Sequence, residues 1–149
     1  MLQFVHQTRL AASCEEVFAF HKRTDILNLL IPPWHKVRIV SRRGGLETGA
    51  RVEIRLLFGP LYITWVAVHT DYQKNRLFVD EQVRGPFAHW RHRHVFQPDG
   101  GGCILRDEIS YSLPLGLDPL FGWLVAKDLR RMFMYRHETT ARELSPVVK

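Results

Sequence analysis

Apolar and polar residues alternate through the middle of the chain. In Arg51-Val52-Glu53-Ile54-Arg55-Leu56 every second residue is apolar, the spacing that lines one face of a strand. Strand-like runs also occupy residues 37–40, 61–69 and 76–83. Gly44-Gly45, Gly59-Pro60, Lys74-Asn75 and Gly85-Pro86 separate them as turns. Pro98-Asp99-Gly100-Gly101-Gly102 is a strong hairpin signal. It joins the strand at 87–96 to a partner at 103–112, whose odd positions face inward. Residues 3–10 add a strand at the start.

Two short helices are expected after that first strand. Ser13-Cys14-Glu15-Glu16 has the form of a capping box. Thr24 is placed to cap a second helix over 25–30, which Pro32-Pro33 ends. The period changes at the end of the chain. Pro119 suits a first helical turn. Phe121, Val125, Leu129, Met132, Phe133 and Arg136 then fall on one stripe. The pattern predicts a helix of about 24 residues and ~36 Å, running to Arg142 with Pro146 beyond it. Such a helix must lie across a sheet to bury its stripe. The expected fold is α+β: a curved antiparallel sheet of about seven strands around a long C-terminal helix, with a hollow between them.

The strand at 87–96 carries the most chemistry. Trp90, His92, His94 and Phe96 share one face, and His89, Arg91, Arg93 and Val95 the other. Two arginines mark the outer face as solvent. Aromatics bracketing two imidazoles suit the wall of a binding cavity, which is mostly apolar with a few placed polar groups. Counting from the hairpin with Phe96 opposite Cys103 places His94 against Leu105, His92 against Asp107 and Trp90 against Ile109. A His92–Asp107 hydrogen bond would then fix the imidazole tautomer and raise its pKa. Alternation sends Asp80 and Gln82 one way and Glu81 the other, and a bulge near Gly85-Pro86-Phe87 would let either set reach the interior. Arg136 sits on the helix stripe and needs an acidic partner, either Asp107, Glu81, Asp80 or a ligand group. Tyr111 adds a phenol to the wall.

Composition narrows the function. The 149 residues fit one domain, 1–149. Net charge is +6 and pI about 9.7, but the basic residues are dispersed and several adjoin acids, so nucleic acid is not the expected partner. No apolar run reaches membrane-span length, and no integral membrane association is expected. The N-terminus lacks the pattern of a secretory signal. Cys14 and Cys103 read most simply as thiols of a cytoplasmic protein, with a single disulfide as the alternative. There is no Gly-rich phosphate loop, Gly-x-Ser-x-Gly elbow or His-Glu-x-x-His pattern. His92-x-His94 suits a zinc ion with Asp107 as third ligand. No second His or Cys cluster supports it, so no metal or other cofactor is expected. Oligomeric state is not encoded in any of these patterns.

The order of elements resembles the START-related, helix-grip (SRPBCC) superfamily, most closely a bacterial branch of ligand-binding SRPBCC proteins. The residues that carry the likeness are Asp80-Glu81-Gln82, Gly85-Pro86-Phe87, Trp90-x-His92-x-His94-x-Phe96, Asp107 with Tyr111, Pro114-Leu115-Gly116, and Phe133 with Tyr135-Arg136. The resemblance implies the fold and a cavity, and no particular reaction. The expected role is to bind a hydrophobic small molecule (lipid-, polyketide- or aromatic-like) as carrier or sensor. Trp90, His92, His94, Phe96, Asp107, Tyr111, Glu81, Phe133 and Arg136 are the candidate ligand contacts. No residue is assigned as catalytic. The alternative is a cofactor-independent cyclase, isomerase or dehydratase in which His92 and Asp107 move protons.

Overall fold

In a computed structural model, residues 1–145 are described, and Pro146 lies outside them. Seven strands form one antiparallel sheet: β1 (Leu2–Leu10), β2 (Val37–Arg43), β3 (Arg51–Phe58), β4 (Leu61–Gln73), β5 (Leu77–Arg84), β6 (His89–Asp99) and β7 (Gly102–Ser112). Their order is β1-β7-β6-β5-β4-β3-β2. Helices α1 (Cys14–His21) and α2 (Ile26–Leu30) follow β1, and α3 (Asp118–Leu144) ends the described chain. Register shifts between Ile39 and Ser41 in β2, and at two places between β4 and β5, act as bulges that bend the sheet. The curved sheet grips α3, which is the helix-grip arrangement.

The local chemistry follows the sequence closely at α1. The Ser13 hydroxyl accepts from the Glu16 backbone N–H at 3.2 Å, and Glu16 reaches back to that hydroxyl. At α2 the cap position falls to Asp25 rather than Thr24, and Asp25 makes no cap bond. Its carboxylate is held instead by both sides of the Arg23 guanidinium, at 2.9 and 2.8 Å. Ile31, before Pro32, is extended as a pre-proline residue must be. The sulfurs of Cys14 and Cys103 are joined, tying α1 to β7 with Cα atoms 4.9 Å apart. The disulfide alternative is therefore the one the fold adopts.

The β6–β7 hairpin differs from the sequence count in one respect. Asp99 pairs with Gly102, so only Gly100 and Gly101 form the loop, both at positive φ. Two such residues make the tight turn whose twist matches the strands. Phe96 consequently pairs with Leu105, His94 with Asp107, His92 with Ile109 and Trp90 with Tyr111. This is a slip of two residues from the expected register. An even slip preserves faces, so the inward set is unchanged.

Helix α3 has 27 residues, about 40 Å at 1.5 Å each. Its buried stripe is Gly122, Leu129, Phe133, His137 and Thr140, spaced mainly by three and four. Phe121, expected on that stripe, is exposed. Gly122 lets α3 pass close to β1, where a Cβ would lie 2.7 Å from a Leu2 methyl and that side chain would have to shift. Two apolar clusters fill the space under α3. One joins Phe18, Phe78, Phe96 and Leu105, and the other Trp90, Ile109, Tyr111, Leu129 and Phe133. The expected hollow is closed to about 20 Å³, room for roughly one water molecule. Large aromatic side chains converge on it from both sheet and helix, and their rotamers fill it.

Candidate functional site

A buried polar layer lies between the two apolar clusters. Strand β6 contributes His92 and His94, β7 Asp107, β5 Asp80, and α3 Arg136 and His137. Each strand residue faces inward because it shares parity with a core neighbour: Trp90 and Phe96 on β6, Leu105 and Ile109 on β7, Phe78 on β5.

Asp107 is the hub. Its Oδ1 accepts from His92 Nε2 at 2.7 Å and lies 3.1 Å from His94 Nδ1. Its Oδ2 accepts from His137 Nε2 at 2.6 Å. The carboxyl side chain is only 6% exposed, and burial alone would raise its pKa. The bonds from His137, His92 and His94 overcome this and hold the carboxyl well below the usual carboxylate range. His94 Nε2 donates to Asp80 Oδ2 at 2.8 Å. That ring faces a carboxylate with each nitrogen. Burial opposes its charge, but the hydrogen bonds to Asp107 and Asp80 prevail and raise its pKa. Asp80 is lowered: burial opposes its ionisation, and the His94 bond together with the charges of His92, His94 and His69 outweighs burial. His92 goes the other way, lowered by burial and by the His94 charge beside it. The ring centroids of His92 and His94 are 3.6 Å apart, so two charges there would repel.

Arg136 completes the layer. Burial lowers its pKa, against the attraction of Asp107 and Asp80. Among the described residues no carboxylate lies within ion-pair distance of it, and its Nε is buried without a hydrogen-bond partner. The guanidinium carbon lies 5.2 Å from the Phe133 ring centre. The cavity of about 20 Å³ is bordered by His94, Asp107, Arg136 and His137. Between β1 and α3 a groove of about 230 Å³, lined by His6, Thr8, Met134, His137, Glu138 and Ala141, reaches the layer at His137.

The structure brings together His92, His94, Asp107, Phe133 and Arg136 of the sequence candidates. Trp90 and Tyr111 stand at the neighbouring aromatic cluster with Trp65 and Phe87. The Tyr111 hydroxyl is turned to the Gly122 carbonyl, 3.4 Å away. Phe96 packs with Phe18 and Phe78 in the other cluster, outside the polar layer. Glu81 pairs with Arg91 on the outer face. The bulge that would have turned it inward is absent from the β5–β6 ladder, and Asp80 takes the inner place. Gln82, also inward, clasps the β5–β6 loop by bonds to the Phe87 backbone at 2.8 and 3.2 Å.

Two participants carry a signal that the sequence reading passed over. His137 is four residues beyond Phe133, on the same helical stripe. Thr8 is on the inner parity of β1, with its Oγ1 2.8 Å from His137 Nδ1. As for metals, Asp80, His92 and His94 offer three ligand atoms within 4.8 Å of one another. Asp107 faces the opposite ring nitrogens.

Several solved structures share the fold. A START superfamily protein from Mycobacterium smegmatis is 14% identical, with 95% of this chain and 96% of that one covered and a TM-score of 0.70. Norcoclaurine synthase from Thalictrum flavum is 12% identical over 96% of this chain and 86% of that one, with a TM-score of 0.71. A nucleoside-diphosphate sugar epimerase from Corynebacterium glutamicum is 25% identical, with a TM-score of 0.75. The match takes in 97% of this chain but 29% of that larger one. No curated protein matches. The START-related, helix-grip superfamily expected from the sequence is thus the right one. A family model described as polyketide cyclase / dehydrase and lipid transport matches residues 10–135, from the end of β1 well into α3, and the chain belongs to that family.

Proposed function

We propose that this protein binds a hydrophobic small molecule of lipid, polyketide or aromatic type between the sheet and α3, as carrier or sensor. The observation that carries the reading is Arg136. A half-buried arginine whose Nε is buried without a partner, set at the edge of an aromatic interior, costs stability unless something pairs with that Nε. A ligand with an apolar body and an acidic or strongly polar head supplies that partner. Phe133, Trp90 and their neighbours would contact the body, and His94 and Arg136 the head.

Ligand pockets of this kind run to a few hundred Å³, against about 20 Å³ here. Binding therefore requires the aromatic side chains and α3 to move apart. Access is favoured at the end of the sheet that holds the β3–β4 turn, the β5–β6 loop and the start of α3. There Phe58, Leu61, Tyr62, Leu115, Leu120 and Trp123 are exposed, and apolar surface on that scale accompanies interaction. Native mass spectrometry of freshly purified protein, followed by denaturation, tests the proposal. The expected result is a released amphiphile, or uptake of long-chain or polycyclic aromatic acids that Arg136→Met weakens more for the acid than for its methyl ester. No binding of any such compound would overturn it.

The second reading is proton-transfer catalysis of the cyclase, isomerase or dehydratase kind. The short His92–Asp107 bond favours it, because it fixes one tautomer of an imidazole held neutral. Turnover lost in both His92→Gln and Asp107→Asn would support it. Unchanged turnover in either would remove it.

A further inference from the structure

The inner face of the sheet presents three donors to one point. His92 Nδ1 and Asp80 Oδ2 are 3.7 Å apart, and His94 Nε2 is 2.8 Å from the same oxygen. His92 has its Nε2 proton committed to Asp107 at 2.7 Å. Its Nδ1 faces the same carboxylate oxygen without a hydrogen bond to it, so two imidazoles and one carboxylate bring ligand atoms within 4.8 Å of one another.

From this we propose that Asp80, His92 and His94 bind a divalent transition-metal ion, with zinc the best match. Two imidazoles and one carboxylate are a donor set such ions favour, with open positions left for other ligands. Small rotations of the two rings bring the donors to the ~3.4 Å spacing that tetrahedral zinc requires with bonds of about 2.0–2.1 Å. The ion takes the place of the proton now shared by His94 and Asp80, which is released to solvent on binding.

The surroundings fit a metal site. Metal-bound imidazoles almost always donate their second N–H to a carboxylate or carbonyl. Asp107 Oδ1 serves both rings in that way, at 2.7 and 3.1 Å, and His137 steadies Asp107 from α3. Asp107 is a positioning residue in this arrangement, not a ligand. The small cavity beside His94, of about 20 Å³, lies on the Asp107 side of the ring and is lined by neither Asp80 nor His92. The proposal does not depend on the organic ligand, because the donors converge whether or not one is bound.

The test uses the tag-free full chain, stripped with chelator and then titrated with Zn²⁺ by calorimetry and with Co²⁺ by visible absorption. The expected result is one equivalent per chain and the intense band of low-coordinate Co²⁺ with nitrogen ligands. Asp80→Asn and His92→Gln should each weaken binding at least about 100-fold, and Asp107→Asn about 10- to 100-fold. His89→Gln, on the outer face, should leave binding unchanged. Circular dichroism of each variant confirms folding, and the wild-type Co²⁺ spectrum tests the idea even if a variant fails to fold. Absence of stoichiometric binding by the wild type, or binding that His89→Gln removes and Asp80→Asn does not, would overturn the proposal.

Discussion

Replacing Asp107 by asparagine probes the buried layer most directly. The carboxylate faces three imidazoles, with donor distances of 2.7, 3.1 and 2.6 Å. An amide has nearly the same shape but loses the charge opposite His94 and Arg136. Its NH₂ must also face one of the ring N–H groups, setting donor against donor. Removing one member of a buried charge pair costs about 3–5 kcal/mol, because the remaining charge stays buried and uncompensated. That is a large part of a typical total stability of roughly 5–15 kcal/mol. In a chain of this length it corresponds to a fall in melting temperature of roughly 6–20 °C. Urea unfolding at neutral pH, followed by far-ultraviolet circular dichroism, measures it. A double-mutant cycle with His137→Gln should show coupling above about 1 kcal/mol. A loss below about 1 kcal/mol, or strict additivity with His137→Gln, would refute the charge-paired hub.

Other expectations follow from single features. Burial pushes the His21 pKa down to about 4, against an ordinary 6.5. The unfolded chain therefore takes up a proton first as pH falls. Stability should be full above pH 6.5 and decline by about 3 kcal/mol by pH 4, and His21→Gln should flatten that limb; parallel pH profiles would contradict this. The Cys14–Cys103 bridge spans 89 residues, so reduction should cost about 4–5 kcal/mol by loop-closure entropy. Alkylation and mass measurement with and without reductant, paired with unfolding curves, will show whether bridge and stability are lost together. Gly102→Ala would set a Cβ 2.6 Å from the Leu10 carbonyl oxygen, prising the end of β1 from β7 at about 1–3 kcal/mol. A neutral unfolding midpoint in that variant would deny the close approach.

The architecture was legible because period-two runs, Gly/Pro turns and one period-3.6 stripe agree on every element. The face of β6 was equally plain, since Trp90, His92, His94 and Phe96 can share a side only in a strand. The neighbours of that face were harder to read. Asp107 was matched to His92 through the wrong rung, yet the bond exists, because a carboxylate opposite His94 also reaches the ring two residues away. Asp80 and Glu81 differ only by parity, and the sequence does not say where near Gly85 the strand bulges; the shift falls at Val83, beyond both, and leaves Asp80 inward. His137 was overshadowed by Arg136, although its spacing from Leu129 and Phe133 places it squarely on the buried stripe. The interior volume depends on how the aromatic side chains orient, and periodicity carries no information about that.

The two-glycine loop at the end of β6 and β7 works as a ruler. Five rungs, or roughly 17 Å at strand spacing, separate the Asp99–Gly102 pair from the His94–Asp107 pair. One added residue in the loop would turn one strand's chemistry outward. Two would carry the carboxylate past the imidazoles while leaving every face correct. Loop length at a distant and solvent-washed corner thus sets which acid meets which base, and redesign of this protein's chemistry could begin there without touching the interior.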